Sequence, residues 1–490
     1  MTKCTLTKQV LTSCVLSVNK ILMKKFIGRK DELYVLDKAY KSEVSEFIPI
    51  YGRRRVGKSE LIMRFLKKKT GIYFVGKKAR ADLQIKEFLN ESSIILKEPL
   101  LEGLSVSGWE NALTTIVNKW NNNKKRIIIF DEFQWTVEAS PELPSVLQTL
   151  WDKHWKNNGK IMLILCGSYI GFMEREVLGK KSPLFGRRTA QILLKPFKFQ
   201  EAGNFHPEYS LADKARVYFI CGGIPWYLNS FSGKCSIDMN IIENLLNPFA
   251  PLFQEPDFLL REELRDVNNY YSILMAISAG SAVLSDISAK TGIDSRALNY
   301  YLKHLIELGY ISKRYPLTSR APSKRSVRYS LEDPLLRFWF RFIYPNTSYI
   351  QYAGGAKTFQ ERIKPELESF FGYCFERLCR EALPYLYFKK GVNASFQIGE
   401  YWNSQMQIDV VGIRDDNWID AGECKWGKVR SIKTIVEALK IRMKNYPNPQ
   451  NQTIAGHIFT RDPVKAGKAI LSDITFHNLE DIYNLYDSEI

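Results

Sequence analysis

Residues able to do chemistry fall into two groups far apart in the chain. The first is Gly52-Arg53-Arg54-Arg55-Val56-Gly57-Lys58-Ser59, with the spacing G-x-x-x-x-G-K-S. In such a loop the glycines let backbone N–H groups turn toward phosphate oxygens. The N-terminus of a following helix adds partial positive charge. Lys58 has the reach to touch β- and γ-phosphates, and the Ser59 hydroxyl suits Mg²⁺. The loop's context supports this reading. Phe47-Ile48-Pro49-Ile50-Tyr51 is a short apolar run suited to a strand, and Leu61, Phe65 and Leu66 mark one side of a helix. Downstream, Ile127-Ile128-Ile129-Phe130 ends in Asp131-Glu132. There Asp131 would hold Mg²⁺ through water and Glu132 would polarise the attacking water. Arg187 and Arg188 stand just before another core strand, in reach of a phosphate in cis or from a neighbouring copy in a homo-oligomer. A solvated basic turn is the alternative for that pair.

The second group is Glu376, Asp409, Glu423 and Lys425. Glu376 lies in a helical pattern and Asp409 in the strand Gln407–Gly412. Glu423 and Lys425, two apart on a strand, project from one face. A turn at 414–417 brings Asp409 alongside Glu423. Helix-Glu, Asp, then E-x-K on adjacent strands, followed by a helix over 431–445, resembles the PD-(D/E)xK nuclease fold. The resemblance implies Mg²⁺ held by Asp409 and Glu423, a metal shell completed by Glu376, and Lys425 acting on the hydroxide or the phosphorane charge. A nuclease-like fold kept only for binding is the alternative.

The elements around these groups follow from periodicity and turn residues. Between 26 and 195, strands alternate with helices, which implies a parallel sheet covered on both faces. From about Asp266 the pattern becomes helix, helix, the Gly292 turn, a third helix capped by Asp294 or Ser295, then a strand at Ile311. That is a winged helix-turn-helix. Arg296, Asn299, Tyr300 and Lys303 are its candidates for groove contacts, with a basic wing from Lys313 to Arg328. Some such modules instead pack on their own protein as switches. The aromatic segment Leu335–Phe342 reads as a packed helix starting near Pro334.

The chain has 490 residues and 70 Lys plus Arg against 52 Asp plus Glu, a net charge of +18. Its length implies several domains and its charge a polyanionic partner. Eight cysteines and five histidines occur, without C-x-x-C or zinc-like spacing, which fits a reduced, cytoplasmic protein and disfavours zinc chemistry. No apolar run approaches the ~20 residues of a membrane span. The apolar stretch within residues 1–22 reads as an upstream extension before a natural start at Met23, rather than a signal peptide.

Arg53-Arg54-Arg55 in the loop, Phe130-Asp131-Glu132-Phe133-Gln134, Cys166-Gly167-Ser168, Pro183–Arg188 and Gly222-Gly223-Ile224-Pro225-Trp226 together resemble archaeal-type P-loop ATPases, AAA+-related and STAND-like. Phe26–Leu33 similarly resembles a segment near the adenine in AAA+-related proteins. The resemblance places Ser168 where the γ-phosphate is sensed; helix N-capping is its ordinary alternative. The expected fold is α/β: a P-loop parallel sheet with a helical lid, a winged helix and a C-terminal α/β nuclease-like domain. The expected boundaries are 1–25, an N-terminal extension; 26–195, the ATPase domain; 196–265, the lid; 266–330, the winged helix; and 331–490, the nuclease-like domain. The expected activity is ATP hydrolysis with Mg²⁺, acting on DNA. The rival readings are an ATP-gated DNA-binding or signalling switch with a silent C-terminal domain, and a chaperone-like ATPase.

Overall fold

The computed structural model describes residues 26–120, 124–264, 266–319, 326–464 and 474–484. The expected N-terminal extension and part of the wing, including Lys324 and Arg325, lie outside them. The chain forms two compact units, one running through Arg54 and over Lys58–Leu194, the other over Arg55–Gly57 and from Lys195 onward.

Five parallel strands form the centre of the first unit: β1 (Glu46–Tyr51), β2 (Gly71–Val75), β3 (Arg126–Asp131), β4 (Ile161–Gly167) and β5 (Ile192–Leu193). Their order across the sheet is β2-β3-β4-β1-β5. β1, β3 and β4 are nearly continuous apolar runs because a parallel sheet has no solvated face to accommodate alternation. Helix α1 (Lys30–Lys41) precedes β1, and α2 (Lys58–Leu66) follows it directly. Pro49 sits inside β1, where a missing N–H should break a ladder. The odd residues of β1 bond toward the β5 side, as Phe47 does with Thr189. β5 itself pairs only from Ile50 onward. Pro49 therefore removes a donor from a place with no ladder partner. Below the sheet, Phe74, Phe88, Trp109 and Phe130 form an aromatic cluster with centroids 5.3–6.0 Å apart. The Trp109 indole N–H finds Ser140 Oγ at 3.0 Å, as a buried indole should.

The second unit starts with short helices over Phe199–Glu263, among them α3 (Leu211–Cys221), N-capped by Ser210. Gly222-Gly223 ends α3. Phe197 N–H donates to the Gly223 carbonyl at 2.8 Å. A Cβ on Gly223 would stand 1.8 Å from the Phe197 carbonyl oxygen. The glycine is thus required by a backbone approach.

Next come α4 (Val267–Ser278), α5 (Leu284–Thr291) and α6 (Ser295–Glu307), then the antiparallel pair β6 (Ile311–Arg314) and β7 (Arg328–Leu331). Gly292 ends α5 at φ 70°, and the Asp294 side chain caps α6. The 26-residue helix α7 (Lys364–Lys389) leads into a mixed sheet. Its strands are β8 (Phe396–Trp402), β9 (Gln407–Arg414), β10 (Trp418–Lys425), β11 (Thr453–Thr460) and β12 (Ile474–His477), ordered β12-β11-β10-β9-β8. β8, β9 and β10 are antiparallel, with Asn417 turning the β9–β10 hairpin at φ 70°. After α8 (Ile432–Asn445), β11 runs parallel to β10. Among the described residues no helix is long and apolar enough to cross a membrane.

Gly223→Ala should lower stability by about 2–3 kcal/mol, because backbone rather than a flexible side chain must move. Gly427→Ala, whose added Cβ meets nothing within 4 Å, is the control. Urea unfolding compares them; equal midpoints would show that the Phe197–Gly223 approach is not tight in solution.

Candidate functional site

The Gly-rich loop leaves β1 and enters α2. Gly52 adopts φ 154°, and a Cβ there would lie 2.3 Å from the Leu194 carbonyl oxygen. The loop is therefore drawn against the chain that follows β5. Lys58 is buried, and its Nζ donates to the carbonyls of Gly52 at 2.9 Å and Arg53 at 3.0 Å. Burial lowers its pKa, opposed by the charges of Glu132 and Asp131. Ser59 Oγ donates to Asp131 Oδ2 at 2.8 Å. The Tyr73 hydroxyl donates to that same oxygen, and Glu132 N–H donates to Oδ1 at 2.9 Å. Burial and the Asp131 charge push the Tyr73 phenol far above its ordinary range. Tyr73 is thus a fixed donor that holds the carboxylate opposite Ser59. Hydroxyl and carboxylate side by side are hard oxygen donors, suited to a small divalent cation.

Glu132 takes a left-handed conformation at φ 48°. Ser168 Oγ donates to its Oε2 at 2.6 Å, and Gln134 Nε2 donates to the same oxygen. Ser168 is therefore a partner of Glu132, not a helix cap: the next helix starts after Tyr169 without a side-chain cap. Tyr73 and Gln134 were not singled out in the sequence. Gln134 belongs to the run Phe130–Gln134, but Tyr73 is placed at the site only by the β2–β3 register, Val75 beside Asp131. Val56 is fully buried, and Arg53 and Arg54 are partly so. Arg55, grouped with the second unit, pairs there with Glu255 at 3.1 Å and lies over the Trp226 ring. Arg187 pairs with Asp152 at 2.7 Å and donates to the carbonyls of Pro183 and Phe185. Its guanidinium is thereby engaged by Asp152 and by the carbonyls of its own turn.

The second group converges at the end of the β9–β10 hairpin. The ladder runs from Ile419↔Ile413 to Gly422↔Val410. One step on, Asp409 Oδ2 accepts Cys424 N–H at 3.0 Å. Asp409 is 8% and Glu423 5% exposed. Lys425 Nζ meets Glu423 Oε1 at 2.7 Å, and Arg442 on α8 takes Oε2. Glu376 comes from α7. Burial, and then the charge of Asp409, raise its pKa to about 8, with Glu400 and Glu423 adding and Arg380 opposing. Asp409 is also raised, by burial and then by Glu423. Four candidates from three elements therefore share one electrostatic site. Among the described residues no three His, Cys, Asp or Glu side chains are placed as a metal-binding group.

Arg380, one turn after Glu376, donates to the Asp409 carbonyl and lies 3.4 Å from Glu400. Glu400 in turn pairs with Arg314 of β6 at 2.9 Å. Arg314, expected among the nucleic-acid-facing cations of the wing, is instead an internal strut. Leu317 N–H also donates to the Glu400 carbonyl at 2.8 Å, and Arg328 stacks on Trp402. Arg296, Asn299, Tyr300 and Lys303 on α6, and Lys313 on β6, do face solvent. Arg380, Glu400 and Arg442 carried no sequence signal, because only tertiary packing brings them to the site.

Residues 26–231 match a family model described as an ATPase domain predominantly from Archaea. Residues 339–436 match one described as archaeal and bacterial proteins of unknown function. An uncharacterised protein of Methanocaldococcus jannaschii is 32% identical over 427 residues, covering 86% of this chain and 92% of that protein. Among solved structures, a Walker-type ATPase of Pyrococcus abyssi is similar at 19% identity and TM-score 0.47, covering 64% of this chain and 96% of the other. The Aeropyrum pernix ORC2 protein, solved in ADPNP–ADP complexes, is similar at 14% identity and TM-score 0.43, covering 67% and 96%.

A carboxyl whose folded pKa is raised from 4.5 to about 8 costs nothing below about pH 4.5, where both states are protonated. It destabilises increasingly as pH rises from about 4.5 to about 8, and by a constant amount above that. Glu376→Gln should therefore match the wild type near pH 4.5 and exceed it above pH 8, by up to a few kcal/mol. Melts across pH test this; parallel curves would mean that Glu376 is not in a negative, desolvated place.

Proposed function

The chain belongs to the family of P-loop ATPases found predominantly in Archaea, and from that premise we propose that it hydrolyses ATP to act on DNA, with a Mg²⁺-dependent phosphodiesterase site in its C-terminal region. In this reading 26–195 is the ATPase domain, 196–265 a lid, 266–330 a winged helix and 331–490 the nuclease-like domain. Lys58 and the loop N–H groups bind the phosphates, Ser59 and Asp131 hold Mg²⁺, and Glu132 orients the attacking water. Ser168 and Gln134 fix the Glu132 carboxylate that would take a proton from this water.

The observation that carries the DNA-cleaving part is the convergence of Glu376, Asp409, Glu423 and Lys425 where the β9–β10 ladder ends. Glu376 and Asp409, raised by burial and then by neighbouring carboxylates, carry an excess of negative charge in a desolvated place that a divalent cation would relieve. Mg²⁺ there would supply a bound water of lowered pKa and would offset charge on the attacked phosphate. Asp409 is steadied by the Cys424 N–H, and Lys425 sits beside Glu423, in place to act on the nucleophile or the phosphorane. The solvent-facing Arg296, Tyr300, Lys303 and Lys313 suit a phosphate backbone. A second reading, an ATP-gated DNA-binding switch with a silent C-terminal region, is favoured by one fact: both Glu423 oxygens are engaged, by Lys425 and Arg442.

Lys58→Ala should abolish ATP turnover, while Glu132→Gln keeps ATP binding and slows turnover by roughly 10²–10⁴-fold. Normal hydrolysis by the Lys58 variant would place the ATPase elsewhere. On plasmid and single-stranded DNA with Mg²⁺, Asp409→Asn or Lys425→Ala should lose cleavage and keep ATPase activity. No cleavage by the wild type with ATP and metal present decides for the switch.

DNA affinity should fall linearly in log–log against salt. Replacing Arg296, Lys303 and Lys313 by Ala should flatten that slope, and Arg314→Ala should not flatten it further. An unchanged slope in the triple variant would move the DNA contact off this face.

A further inference from the structure

Away from both sites, a cavity of about 310 Å³ opens between the end of α4, strand β7 and helix α7. Ile277, Leu331 and Phe370 give it apolar walls, and Ser330, Arg337 and Tyr373 give it polar ones. Its size is near the lower end of the ~300–1,000 Å³ of small-molecule sites.

Arg337 is the unusual member. It is only 6% exposed. Its Nε and Nη2 donate to the Leu331 carbonyl at 3.2 and 3.0 Å, and Nη2 also donates to the Glu332 carbonyl at 3.3 Å. Its Nη1 lies 3.5 Å from Cys374 Sγ, and its guanidinium stands 5.8 Å from the centre of the Tyr373 ring. A thiol is a weak acceptor, and burial raises this one's pKa, so it stays neutral. Among the described residues no carboxylate pairs with Arg337. Of the acids near it in sequence, buried Asp333 accepts the Leu336 N–H at 2.6 Å and Glu332 is shared by Arg314 and Arg377, while Glu366 at the rim is taken by Arg341. A buried cation with its hydrogen bonds mostly made but its charge unmatched is costly. The surroundings add to the excess. Tyr373 OH lies 3.1 Å from Ser330 Oγ, which also accepts from Arg377. Desolvation raises the Tyr373 phenol, yet Arg377, Arg337 and Arg314 together bring it below its ordinary value.

We propose that this cavity binds a small organic anion, with a carboxylate or phosphate beside Arg337 and the Tyr373 hydroxyl and an apolar body against Ile277, Leu331 and Phe370. The anion supplies the missing counter-charge to the guanidinium that lines the cavity.

Calorimetric titration of the full chain, with ADP saturating the loop site, tests this using 2-naphthoate, 2-naphthyl phosphate and the neutral 2-naphthamide. At least one anion should bind roughly tenfold or more tighter than the amide, and which anion it is separates a carboxylate from a phosphate ligand. Arg337→Met should erase that preference. Ala279→Trp, at the exposed rim, should block all three probes without touching the buried charge, and it decides the matter if the Arg337 variant does not fold. Amide binding as tight as both anions, anion binding unaffected by Ala279→Trp, or no binding of any probe at millimolar concentration would each overturn the proposal.

Discussion

The first unit depends on keeping one buried carboxylate satisfied. Asp131 is 2% exposed at the end of β3. A carboxylate there is tolerable only if donors surround it. Ser59 from the first turn of α2, Tyr73 from β2 and the Glu132 amide supply them. Each donor comes from a different segment, so satisfying Asp131 fixes the loop, the neighbouring strand and the left-handed step at Glu132 together. That step turns the Glu132 side chain to Ser168 at the end of β4. The parallel sheet matters because it brings the C-terminal ends of β1, β3 and β4 to one edge, and these polar residues all sit there.

In the second unit the same requirement is met with arginines. Glu332 lies between Arg314 and Arg377; burial raises its pKa, but these cations and the Ser312 hydroxyl outweigh it and bring the value down to about 2. Glu400 lies between Arg314 and Arg380, and Arg380 holds the backbone of Asp409. The two-stranded ribbon and the mixed sheet are thereby joined through charge as well as through the Leu317–Glu400 backbone bond. A basic segment that looks available to a polyanion from its composition is partly consumed in this joining. The net charge of +18 is thus a poor count of the cations that face a partner.

Buried histidines form a further network that the sequence did not announce. His457 meets Asp420 at 2.7 Å and His477 at 3.0 Å, and Tyr387 donates to Asp420 at 2.6 Å. Burial and the neighbouring His457 lower the His477 pKa to about 3. The cluster holds α7 to β10, β11 and β12. Five histidines scattered over the chain gave no sign that two of them would stack in one core.

The sequence by itself determined the local parts. G-x-x-x-x-G-K-S, the apolar run ending in Asp131-Glu132, the Gly292 and Asp294 helix signals and the E-x-K strand each rest on neighbours within a few residues, where backbone preference and side-chain alternation act. The tertiary structure alone decided what those parts touch. It spends Arg314 and Arg187 on acids, makes Ser168 a partner of Glu132 rather than a cap, requires Gly223 for a backbone approach, and brings Arg380 and Arg442 beside Asp409 and Glu423. The physical reason is range. Strand and helix signals come from steric preferences that repeat along the chain. The partner of a charge is set by which segments the packed core places within a few ångströms, and one sequence carries no periodic mark of that.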